Sequence, residues 1–206
     1  MKIAVIIEGS TKHRSGDVVK ALSELGHDVI NLGMQNIEGE ADLTYLHTGL
    51  ITALALNLKA VDFVVGGCGT GQGYMNAALQ FPGTACGLLC DPVDAFLYSQ
   101  VNAGNCVSLA LNKGYGALGG DLNLKYLFKT LFENPFGGGY PPARVEIQQG
   151  AVARLAKLSL DAHLPMIDIL KNMDQSLLDG ALSFPGVMDF IKSAPESELK
   201  SFLLAR

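Results

Sequence analysis

No tryptophan occurs in this chain of 206 residues, charged residues make up only 17%, and no basic block stands out in a formal net charge of −5. That balance argues against nucleic acid and against an anionic membrane surface as partners. No apolar run approaches the ~20 residues that a membrane helix needs. Cysteine is scarce too: Cys68, Cys86, Cys90 and Cys106, with four histidines, none at finger-like spacing from a cysteine pair. A disulfide framework and a zinc finger are therefore not expected. What is present is apolar: hydrophobic residues make up 49%, as in a well-buried globular chain. The opening Lys2-Ile3-Ala4-Val5-Ile6-Ile7 is too short for a signal peptide and reads as a first strand, so the expected location is cytoplasmic.

The apolar runs alternate with helical spacings. Ile3–Glu8, Asp28–Leu32, Val61–Gly67, Thr84–Cys90 and Cys106–Leu111 read as strands. Between them, helices are expected over Ser15–Leu25, from a cap at Asp42 or Thr44 to Lys59, over Gln72–Gln80, from Asp91-Pro92 to about Gln100, and from about Asn123 to Glu133. Strands that are apolar throughout, alternating with helices, imply a doubly wound, Rossmann-like, five-stranded parallel sheet sandwiched by helices. Gly137-Gly138-Gly139-Tyr140-Pro141-Pro142 breaks the pattern. Residues 1–148 form the α/β domain on this reading, and 149–206 a C-terminal extension that is all helical. That extension is read as a cap, a dimer arm or a separate lobe.

The stretch with most chemistry is Gly66-Gly67-Cys68-Gly69-Thr70-Gly71-Gln72-Gly73, in which five of eight residues are glycine. It follows an apolar strand and opens a helix, an arrangement that presents backbone N–H groups to an anion and favours a thiolate. It fits neither a dinucleotide loop nor a nucleotide P-loop, because the third glycine of one and the lysine of the other are missing. Cys86, Cys90 and Cys106 are expected to be core residues, and His27, His47 and His163 structural. Ligands bind at the carboxyl ends of strands, which are taken here as Glu8–Arg14, Gly66–Gly73, Asp91 and Asn102–Asn105. Glu8 closes an apolar strand, and a carboxylate there needs a partner or a ligand.

Cys68-Gly69-Thr70-Gly71-Gln72-Gly73 resembles the Cys-Gly-Thr-Gly-x-Gly motif of the ribose-5-phosphate isomerase B / galactose-6-phosphate isomerase (RpiB/LacA/LacB) family. Gly26-His27-Asp28-Val29-Ile30, Ala77-Ala78, Asn102, Asn105 and Arg144-Val145-Glu146 follow in the family's order, over about residues 1–148. The resemblance implies an aldose–ketose isomerase of a phosphorylated or related sugar, working through an enediolate without a cofactor. It implies Cys68 as base and Thr70 as its assistant, with Glu8, Gly69, Gly71, Gly73 and Asn102 around the sugar and the oxyanion. Arg144 would grip the phosphate of a neighbouring subunit, so a homodimer or larger homo-oligomer with shared sites is implied. The family's Asp-His after the first strand is Glu8-Gly9 here. Its ring-opening histidine is Val101, one phosphate arginine is Tyr140, and its Asp-Tyr-Pro is Asp42-Leu43-Thr44. The first-loop Lys12, His13 and Arg14 stand as replacement phosphate contacts. The alternative is a degenerate member that binds a sugar phosphate without turning it over.

Overall fold

Successive strand residues point to opposite faces of a sheet, and here both faces are apolar, so both must be covered. The computed structural model describes residues 1–113 and 120–206. Strands β1 (Lys2–Ile7), β2 (Asp28–Asn31), β3 (Phe63–Cys68), β4 (Cys86–Leu89) and β5 (Cys106–Ala110) form one parallel sheet in the order β2-β1-β3-β5-β4. Ile3, Val5, Ile7, Phe63, Val65, Val107 and Leu109 face α1 (Ser15–Glu24), α4 (Pro92–Leu97) and α5 (Gly120–Phe132), which contribute Val18, Leu22, Ala95, Leu124 and Phe128. Ala4, Ile6, Val64, Cys68 and Cys106 face the other way, toward α2 (Tyr45–Asn57) and α3 (Gln72–Ala78). The expected class is thus the observed one.

The chain winds from β1 to β2 on one side and returns to β3 on the other. That reversal puts the carboxyl ends of β1 and β3 side by side, with Ile7 opposite Gly67. Asp91 caps α4 by accepting from Val93 and Asp94 amides at 2.8 and 3.0 Å. Beyond Leu97 the helix widens into a π turn over Tyr98–Asn102, short of the continuous α-helix expected to Gln100. α5 starts earlier than expected, at Gly120. Cys106 is buried and Cys86 half-buried, but Cys90 is exposed, contrary to its expected place in the core. It lies past the end of β4, an edge strand of the sheet.

Thr44 and His47 form a capping box at the start of α2. Leu50, Ile51, Ala53, Leu54 and Ala55 are all buried, so α2 is apolar all round, as in a helix covered on every side. The cover comes from the C-terminal region. Helices α7 (Met166–Asn172), α8 (Gln175–Ser183), α9 (Val187–Ser193) and α10 (Glu198–Leu204) share one hydrophobic cluster with α2 and with Ala4, Ile6 and Val64 of the sheet. They form a fourth layer, packed on the outer side of α2. The helix between, α6 (Val145–Ala162), buries none of its residues.

Tyr74 of α3 is fully buried, and a methyl group on Gly66 would overlap its ring. Its hydroxyl bonds to Thr52 of α2 at 2.6 Å and lies 3.4 Å from the Cys106 thiol of β5. Gly66→Ala is expected to cost about 1–3 kcal/mol through overpacking, read as a lower urea midpoint. Gly16 in α1 has nothing within 4 Å of an added Cβ, so Gly16→Ala is expected to hold or raise the midpoint, because a helical glycine is a weak helix former.

Candidate active site

Because β1 and β3 are neighbours, the polar turn Gly9–Arg14 after β1 faces the glycine turn after β3. Glu8 is only 7% exposed, and both of its carboxylate oxygens are engaged. One accepts from the Ser10 amide at 3.1 Å, and the other holds the Ser10 hydroxyl in a very short hydrogen bond. That hydroxyl lies 3.5 Å from where a Cβ on Gly69 would stand. Glu8 and Ser10 are thereby fixed against the residue that follows Cys68.

The glycine turn is held from behind. Gly71 adopts a left-handed φ of +73°, a conformation that favours glycine, and its carbonyl accepts from Ser108 Oγ at 2.5 Å. The Gly69 carbonyl accepts from the Asn112 amide at 3.0 Å. Cys68 is buried at 6% exposure, while Thr70 is exposed and its hydroxyl accepts from the Gln72 amide at 3.4 Å. Two further walls close the site. The Tyr45 ring comes 3.1 Å from a Cβ position on Gly73, and the Asn112 side-chain amide 3.2 Å from one on Gly69. Asp42 packs against Gly9.

The structure therefore brings together Glu8, Cys68, Gly69, Thr70, Gly71 and Gly73. His13, exposed, and Arg14, half-buried, stand on the turn at the same end of the sheet. Asn102 is placed otherwise. The segment Asn102–Asn105 precedes β5 and does not follow it, so it lies at the amino end of the sheet and not among the carboxyl ends where the sequence reading put it. The amide of Val64 donates to the Asn105 carbonyl at 3.0 Å, four residues before Cys68, which at ~3.3 Å per strand residue is about 13 Å away. Asn105 itself clamps the turn ahead of β4, donating to the Gly83 carbonyl and accepting from the Ala85 amide at 2.8 and 2.9 Å. The Gly137–Gly139 segment docks on the π turn through Ser99 and Gln100 carbonyls at 2.8 and 2.9 Å. Arg144, exposed at the start of α6, thus stands away from Cys68 as well.

Ser10 falls within the Glu8–Arg14 loop that sequence reasoning set beside Cys68, whereas Tyr45 and Asn112 were missed. Asn112 carried a positional signal, since it is the first polar residue past the fifth strand and so sits at a carboxyl end. Among the described residues no group of three or more histidine, cysteine or acidic side chains is placed to hold a metal ion, and no helix is long and apolar enough to cross a membrane.

With this geometry in view, the family model described as Ribose/Galactose Isomerase matches residues 3–146. The chain belongs to the ribose/galactose isomerase family. None of the curated proteins matches it. Among solved structures, this isomerase-family chain is similar to a 4-deoxy-L-threo-5-hexosulose-uronate ketol-isomerase complexed with a tartrate, at 40% identity and a TM-score of 0.94, covering 99% of this chain and 97% of that one. It is also similar to a ribose-5-phosphate isomerase from Vibrio parahaemolyticus, at 37% identity and a TM-score of 0.93, covering 100% and 98%. The Clostridium thermocellum ribose-5-phosphate isomerase B, at 23% identity and a TM-score of 0.63, shares the fold, covering 79% of this chain and 100% of that one.

The capping box of α2 supports Tyr45 beside Gly73, and it depends on a neutral imidazole. His47 Nδ1 accepts from the Thr44 amide at 3.2 Å, and its Nε2 lies 2.7 Å from where a Cβ on Gly180 of α8 would stand. Burial lowers the His47 pKa, opposed by Asp42, and burial with the N-terminal charge lowers that of His27. A ring whose folded pKa is lowered contributes stability that is full above its unfolded value, about 6.5, and is lost as pH falls through it. The thermal midpoint is expected to drop between pH 7.5 and 5.5, and His47→Gln to flatten that slope.

Proposed function

We propose that the protein is an aldose–ketose isomerase of an open-chain sugar acid, a hexosulose uronate, with Cys68 as the carbon base. The observation that carries this is a contrast. The Cys68–Gly73 turn is complete, while Val101 stands where the family's ring-opening histidine would be. A 4-deoxy-5-keto hexose has no hydroxyl on C4 or C5 with which its aldehyde closes the usual ring, so it asks for no ring opener. Gly9 and Tyr140, where the family has a phosphate histidine and arginine, fit a carboxylate better than a phosphate dianion. The 40% identical structure, similar over nearly the whole length, is named for such a ketol-isomerase.

In this reading the Cys68 thiolate removes the C2 proton and returns it at C1. Amides of Gly69, Gly71 and Gly73 hold the oxygen on which charge develops, since donors aimed there supply the largest catalytic share. Thr70 holds a neighbouring hydroxyl, and Lys12, His13 and Arg14 take the substrate's anionic end. A sugar phosphate is the second reading, favoured by the 37% identical ribose-5-phosphate isomerase and by Arg144.

Asn102 and Arg144 serve the Cys68 of a second copy. α6 exposes Ile147, Leu155, Leu158 and Leu160 at 52–64%, beside a groove of about 830 Å³ lined by Leu88, Leu97, Asn102, Leu155 and Leu158 among others. A helix apolar on its open face next to an apolar groove is self-complementary across a two-fold axis.

Two measurements test these readings. In deuterated water the wild type is expected to exchange the C2 proton of a hexosulose uronate and form the ketose, and Cys68→Ala to lose about 10²–10⁴-fold in rate. Undiminished exchange in that variant overturns the mechanism, and turnover confined to ribose 5-phosphate moves the substrate to the second reading. Leu155→Glu with Leu158→Glu is expected to yield monomers by light scattering, helical by circular dichroism but without turnover. A wild type that is monomeric and active overturns the shared site.

A further inference from the structure

Resting on the isomerase reading, we infer that Ser10 and Glu8 form the relay that moves the hydroxyl proton between the two substrate oxygens. Aldose–ketose isomerisation relocates two protons. The one on carbon goes from C2 to C1, and the one on oxygen goes from O2 to O1. A single thiolate at Cys68 serves the carbons. The glycine amides and Thr70 hold oxygens in that reading, but none of them is assigned to carry a proton from one oxygen to the other.

Ser10 is placed for that second task. Its hydroxyl is held on a Glu8 carboxylate oxygen and lies 3.5 Å from a Cβ position on Gly69, the residue next to the base. Ser10 is exposed to the crevice while Glu8 behind it is buried. A carboxylate that only capped the Gly9–Arg14 turn would need one oxygen on the Ser10 amide. Here the second oxygen is spent on the hydroxyl, which leaves the serine lone pairs facing outward over the glycine turn.

The step balances without any further reactant. Cys68 takes the C2 proton, the C2–H pair becomes the C1–C2 double bond, and the carbonyl π pair moves onto O1. The O2 proton passes to Ser10 Oγ as the serine's own proton passes to Glu8. The reverse transfer delivers a proton to O1. The O2 lone pair then closes the new carbonyl, and the double-bond pair takes the proton from Cys68 at C1. Glu8 and Ser10 end as they began. Ser10 is the catalytic residue of the pair, and Glu8 acts through it as a positioning residue and proton store.

The test separates carbon exchange from product formation. Ser10→Ala keeps the backbone amide that Glu8 caps, and Glu8→Gln keeps an oxygen to accept from it, so the turn survives in both. With a hexosulose uronate in deuterated water, both variants are expected to keep C2 exchange while ketose formation falls by about 10²-fold. The ratio of exchange to isomerisation then rises by the same factor, and Ser10→Thr, which retains a hydroxyl, restores it. A purely structural role would lower both rates together. A wild-type ratio in Ser10→Ala and Glu8→Gln, or a parallel fall in both rates, overturns the relay. A wild type that exchanges no C2 proton from any sugar overturns the isomerase reading itself, which is a separate result.

Discussion

The turn that carries Cys68 is fixed by a buried phenol. Tyr74 occupies the space that a side chain at position 66 would take, and its hydroxyl joins α2 to β5 through Thr52 and Cys106. Burial pushes the Tyr74 pKa far up, with the neighbouring Cys106 and Cys86 adding to it. The group therefore stays a neutral hydrogen-bonding hinge pin. Since α3 begins at Gln72, directly after the turn, locking Tyr74 locks the backbone to which the oxyanion-holding amides are assigned in the proposed mechanism. Loss of that contact would let the turn move as a loop. A preorganised donor array works because it does not reorganise when charge appears.

Much of this was legible in the residues. Apolar runs in five places, separated by helical spacings, demand a parallel sheet with two covered faces, and the glycine breakers marked its turns. The crevice between β1 and β3 was legible only on condition that the two strands are neighbours, and the sheet order supplies that condition. The location of Asn102 did not, because a polar segment between a helix and a strand was counted with the segments that follow strands. Direction along the chain decides which end of a parallel sheet a loop occupies, and Asn102–Asn105 leads in. Ser10 was legible from its loop after the first strand, but Tyr45 and Asn112 owe their places to tertiary contacts over the turn, which spacing does not encode.

The C-terminal region was readable only as helices, yet one signal of its role lay in α2. A helix in which Leu50, Ile51, Ala53, Leu54 and Ala55 flank a buried Thr52 has no polar face to show to water, so something must lie on each side. The sheet supplies one side and α8 with its neighbours the other. This ties the outer layer to the site, because Gly180 meets His47 at the very turn that carries Tyr45.

The edge strand β4 carries a further consequence. Its Cys86, Gly87 and Leu88 are half-buried, and an apolar edge offers unpaired backbone groups to any passing strand. The groove along it, bordered by α6, is where a second copy sits in the pairing proposed above. That pairing then has a colloidal duty besides a chemical one: it covers one of the two edges of the sheet, from which strands of other molecules could add. A complete site and resistance to precipitation would then depend on the same leucines of α6.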